Sequence, residues 1–225
     1  GPAVSDHPGA RWHTGYDMEL ARPVMVLALD DAGRRDEFEQ ELRAAALVEH
    51  AHAAVLLRTG LLPDGRHAAV FAAFGQPHVV LDDVDGDGPL FPHRLRLFAN
   101  LCNAVASAHA QGITHGNLTS NALWFDYEQG VCVHGFGSGW RGRTGGHAGT
   151  RTEADDVRGL YDLWQLLVPS RFRTGDVAHL DAAMRDPSRY RSAVPLASDV
   201  QALLRGDGFA TASVSLWQVV KRWAS

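Results

Sequence analysis

Few residues of this chain are of a type and spacing that could do chemistry, and they gather in HGNLTSNALW, residues 115–124. His115, Asn117 and Asn121 share that short stretch, and Gly135-Phe136-Gly137 follows it. Asn117 cannot act as a base at neutral pH, because an amide does not titrate there. Gly135 offers no carboxylate to a hard cation that prefers oxygen anions. The chain's single lysine is Lys221, close to the C-terminus. Chemistry that needs an internal lysine, such as a Schiff base or a Walker A phosphate loop, is excluded by composition.

Metal chemistry finds little support. The twelve histidines are scattered, with no HExxH and no Cys/His cluster at zinc spacing. His134, alone in a strand pattern, reads as a hydrogen-bonded structural residue. Asp83, Asp85 and Asp87 have the spacing of a calcium loop, but the bidentate Glu is missing and Phe91-Pro92 interrupts the run. This stretch reads as a solvated connector. Cys102 and Cys132 are too few for a disulfide scaffold and read as reduced, buried thiols of a cytoplasmic protein. No metal and no cofactor is expected.

The elements that must position these residues can be read from periodicity. The chain has 225 residues, 45% hydrophobic and 21% charged, with a formal net charge of −5. That is enough to bury a core, and the charge speaks against a general nucleic-acid binder. No apolar run is long enough to span a bilayer. Gly1-Pro2 has the form of a protease-cleavage scar, and residues 3–15 read as polar and weakly structured. Residues 22–29 are an apolar run of strand length, residues 36–48 a helix, and residues 53–57 and 68–74 two strands around a Pro-Asp-Gly turn. Residues 82–89 are a Gly-rich break. A long helix over 92–111 follows, ended by Gly112, then a hairpin from 121–125 and 130–133. Residues 137–151 read as an exposed loop, 155–168 as a helix, and 177–223 as three shorter helices.

In that order, HGNLTSNALW after the helix ending AHAQGIT resembles the catalytic segment of bacterial, eukaryotic-like Ser/Thr protein kinases. Gly135-Phe136-Gly137 stands where the family has Asp-Phe-Gly. Asp156-Val157 opens a helix as in the family's D-V-Y-x-L-G, and residues 186–192 (DPSRYRS) resemble its D-P-x-x-R-P-S. In the first part, residues 16–24 resemble the turn entering the third strand, Glu41 falls at the family's ion-pairing glutamate, and His50-Ala51-His52 matches its H-P-x. The likeness covers roughly residues 12–205. It implies an α+β, two-lobed fold: a small, truncated β-rich lobe over 3–81, a connector over 82–91, a helical lobe over 92–205 and a C-terminal helix over 206–225.

The resemblance also implies a loss of catalysis. Leu27 replaces the phosphate lysine, Asn117 the catalytic aspartate and Gly135 the magnesium aspartate. Proline and the bulky Trp12 stand where a glycine-rich loop would approach phosphates. The former nucleotide cleft would comprise Met25, Leu27, Glu41, Phe71, Asn121, Leu123 and Gly135, with Met25 filling the adenine pocket. Glu41, lacking its lysine, is either solvated or paired with an arginine, and the solvated face is the expectation. His115, Phe136 and Asp156 would be structural: a hydrophobic column, and a carboxylate holding backbone. Trp217 and Trp223 on the last helix would face a protein partner or cap the core, and Thr144, Thr150 and Thr152 lie among arginines as possible phosphorylation sites. The expected function is that of a pseudokinase acting as a scaffold or allosteric regulator. An atypical phospho- or nucleotidyl-transferase, or a small-molecule sensor, are the alternatives.

Overall fold

The computed structural model describes residues 3–7, 9–74, 91–126, 129–141 and 151–206. Its first part is a five-stranded antiparallel sheet with one helix against it. The strands are β1 (Ala3–His7), β2 (Ala10–Asp17), β3 (Arg22–Leu29), β4 (Leu56–Leu61) and β5 (His67–Ala72), in the order β1-β2-β3-β5-β4. Helix α1 (Arg35–Leu47) crosses between β3 and β4. Register sets Trp12 opposite Leu27 and Met25 opposite Phe71. Because successive strand side chains alternate faces, Trp12, Met25, Leu27 and Phe71 come to one inner face, where α1 adds Phe38, Leu42 and Ala45.

The second part is helical: α2 (Phe91–His109), α3 (Glu153–Leu167), α4 (Gly175–Arg185) and α5 (Ala193–Arg205). Leu95, Phe98, Leu101, Cys102, Val105 and Ala108 form the buried stripe of α2, as helical periodicity requires. Phe98 meets Trp164 of α3 edge-on, with centroids 4.9 Å apart. Helix α3 starts with a capping box, in which Thr152 and Asp155 satisfy each other's backbone amides.

A hairpin of β6 (Leu123–Asp126) and β7 (Gly130–Val133) joins the two cores. Its alternation serves both: Leu123, Val131 and Val133 enter the helical core, while Trp124 and Cys132 enter the sheet core.

Two expectations need correction. Residues 3–15 hold β1 and most of β2, not weak structure. Polar Arg11 and His13 on the outer positions hide the buried alternation of Ala10 and Trp12. The strand expected over 53–57 begins only at Leu56. Residues before it pair elsewhere: Ala54 N donates to Val133 O at 2.8 Å, and Val133 N donates to His52 O at 2.8 Å. The connector over 82–89, the threonines 144 and 150, and the helix carrying Trp217 and Trp223 lie outside the described residues. Among the described residues no helix is long and apolar enough to cross a membrane.

Candidate functional site

Where the hairpin faces the sheet, an aromatic cluster closes the space between them. Trp12, with no solvent-exposed surface, stands edge-on to three rings. Its ring centroid lies 5.0 Å from Phe71, 5.0 Å from Trp124 and 4.9 Å from His134. Trp124 and His134 lie 4.5 Å apart. Edge-to-face packing sets the positive rim of one ring against the negative face of the next. Met25, Leu27 and Phe71 are fully buried in the same core. Leu123 is not with them. The hairpin's alternation turns it into the helical core and presents Trp124 instead.

Glu41 is buried, correcting the expectation of a solvated face. Its carboxylate accepts from Trp140 Nε1 at 3.0 Å and from Arg141 Nε at 2.9 Å, and it pairs with Arg141 Nη2 as well. Burial pushes the Glu41 carboxyl up, against the opposing pull of Arg141 and Trp140. A buried carboxylate without a partner is costly, so the site had to supply a cation. With no lysine on β3, the stretch after Gly137 supplies it.

Two further observations fix that stretch. Gly137 has φ +82°, and a Cβ there would come within 2.9 Å of Ala44 Cβ on α1. Arg34 Nη1 donates to Trp140 O at 3.1 Å, and the guanidinium groups of Arg34 and Arg141 lie 5.6 and 5.5 Å from the Trp140 ring.

The loop between α2 and the hairpin is organised by Asp156. Its carboxylate accepts from His115 N at 2.6 Å, Gly116 N at 2.8 Å and His109 Nε2 at 3.0 Å. Ala193 N donates to His109 Nδ1 at 2.9 Å, so Nε2 carries that ring's proton. Burial acts to raise the Asp156 carboxyl, but His109, the field of His115 and the backbone donors outweigh it and hold it below the usual range. His115 donates from Nε2 to His134 O at 2.9 Å and accepts at Nδ1 from Asn117 N at 3.2 Å. Burial holds its imidazole below the ordinary value, against the pull of Asp156. The His115 ring meets Phe136 at 5.3 Å.

Of the degenerate positions, Asn117 and Gly135 both lie beside His115. Asn117 is half-buried beside His115, and Asn121 is exposed on the turn over 120–122. Gly135 has φ +85°, and a Cβ there would meet Ser138 Oγ at 3.2 Å. Burial pushes the Cys132 thiol up to about 12 and raises Cys102 as well, which makes both poor nucleophiles. Among the described residues no three His, Cys, Asp or Glu side chains group to hold a metal ion.

Sequence reasoning did not foresee the parts taken by Trp12, Trp140 and Arg141. Trp12 shares the inner strand face with Ala10, but polar Arg11 and His13 mask that alternation. For Arg141 there was no signal, since its partner lies a hundred residues away. No protein-family model matches the chain, and no curated protein matches it.

Proposed function

We propose that this chain is a catalytically inactive, protein-kinase-like module, a pseudokinase that acts by binding a protein partner. The observation that carries this reading is the packing of Trp12 against Phe71, Trp124 and His134. On the kinase resemblance, β3, β5 and the hairpin are the elements that would enclose a nucleotide base, and here a tryptophan of the same chain fills the space between them. The charges support the same reading. Phosphoryl transfer depends on positioned cations and carboxylates, and Leu27, Asn117 and Gly135 stand where the family has them. Glu41 is already neutralised by Arg141. Each such group is commonly worth about 10²–10⁴ in rate, so their joint loss leaves no basis for turnover.

Thermal melting with ATP or ADP, with and without magnesium or manganese, tests the proposal. A ligand that binds the folded state raises its melting temperature. We expect no shift at millimolar nucleotide. A metal-dependent rise would overturn the reading and favour an atypical transferase.

A further inference from the structure

We propose that the groove between α3 and α4 is a docking site for a protein partner, and that it takes an acidic peptide segment carrying one apolar anchor residue. The groove encloses about 210 Å³. Small-molecule pockets run to about 300–1,000 Å³, so this smaller volume suits a single anchoring side chain. Its floor is apolar: Val157, Met184 and Tyr190 line it and are buried. The Tyr190 hydroxyl donates to Asp199 Oδ2 at 2.6 Å, which leaves the ring to line the groove. A buried apolar floor ringed by polar groups is the form of a side-chain anchor site.

The rim is cationic. Arg158 of α3 lines the groove, is exposed, and has no hydrogen bond or ion pair among the described residues. Arg185 of α4 is exposed yet held in place: Nε donates to the Tyr161 hydroxyl at 2.8 Å and Nη2 to Asp181 Oδ2 at 2.6 Å. Its Nη1 has no acceptor among the described residues, so a fixed guanidinium keeps a donor for a ligand. Asp155, the acid lining the groove, already accepts from the Thr152 amide and hydroxyl at 2.9 Å each. The wall at Pro187 is fixed as well, since Asp186 Oδ1 accepts from Ser188 N at 2.9 Å and from Ser188 Oγ at 2.7 Å. Groups already held in place lose little freedom on binding, and guanidinium–carboxylate bonds are among the stronger hydrogen bonds. The chain as a whole carries a net charge of −5. Its field repels an acidic segment elsewhere, so these two arginines set where one lands.

The site rests on the reading of this chain as a partner-binding module and gives that partner a chemistry. The two fail separately, since a nucleotide-induced melting rise would overturn that reading and leave a peptide titration unchanged. Amide NMR of the isotope-labelled chain, titrated with the blocked peptide Glu-Asp-Leu-Glu-Asp, provides the test. Saturable shifts are expected at residues 154–161 and 184–190, and added salt should weaken them. Arg158→Glu should weaken binding about tenfold or more, whereas Arg43→Glu, the same change of charge at an exposed position of α1, should leave it unchanged. The neutral peptide Gln-Asn-Leu-Gln-Asn needs no variant and should give no saturable shift. No saturation up to about 5 mM acidic peptide, equal losses in the two variants, or equal binding of the neutral peptide would overturn the site.

Discussion

Truncating Trp12 to alanine tests the packing on which the functional reading rests. The indole is fully buried and touches three aromatic rings. A buried tryptophan removes about 150–250 Å² from water, which at about 25 cal/mol per Å² is about 4–6 kcal/mol for the whole side chain. Alanine keeps a small part of that, and measured Trp→Ala costs run about 3–5 kcal/mol. For a chain of this size each kcal/mol lowers the melting temperature by about 2–4 °C, so a loss of about 4 kcal/mol gives a drop of about 8–16 °C. Urea denaturation followed by far-ultraviolet circular dichroism reads the cost directly. Trp12→Phe supplies the control. Trp12 Nε1 has no acceptor among the described residues, so phenylalanine discards no hydrogen bond and should cost less than about 2 kcal/mol. A loss below about 1 kcal/mol for Trp12→Ala would refute the reasoning, because a ring enclosed by Phe71, Trp124 and His134 cannot be removed so cheaply.

Two further outcomes follow from the same geometry. Gly137→Ala should destabilise by about 2–3 kcal/mol, through positive φ and through the clash with Ala44; Gly65→Ala, with a like φ but nothing within 4 Å of the added Cβ, should lose only about 1 kcal/mol. Equal losses in urea denaturation would mean that α1 does not approach Gly137. The pH dependence has two steps. His115 has a lowered value when folded, so the unfolded chain takes up its proton more readily, and stability should begin to fall below the ordinary histidine value of 6.5. Asp156 is also lowered when folded, so its contribution is present above the ordinary aspartate value of 3.8 and is lost as pH falls through its folded value. Melting curves from pH 8 to pH 3 check both, with the first step smaller in His115→Phe and the remainder set by His50, whose value burial also lowers.

Strands and helices with a long apolar period were legible in the sequence. Residues 22–29 matched β3 residue for residue, and 92–111 matched α2 but for its ends, because burial of one face leaves a repeating mark. Residues 3–15 were not legible. Their strands carry Arg11 and His13 outward and interrupt the pattern with Gly9, so composition resembled a loop. The pairing of Glu41 was illegible for a different reason. A carboxylate on a helix gives no sign of which distant cation it meets, and the glycine-rich stretch around Arg141 looked like exposed loop. Only the folded chain closes that contact.

Two of the buried carboxylates show what this fold retains. Glu41 and Asp156 are each almost wholly withdrawn from water, and neither faces a metal group among the described residues. Each instead gathers donors from segments far apart in sequence. Asp156 ties α3 to the amides of His115 and Gly116 and to His109 of α2, which in turn holds Ala193 at the start of α5. Glu41 ties α1 to Trp140 and Arg141. Apolar residues could fill the same volume with no desolvation cost, but they would accept no hydrogen bond, and the buried amides at 115 and 116 would be left unpaired. The carboxylates are therefore required by the backbone and side-chain donors around them, whether or not any phosphate or metal ever binds.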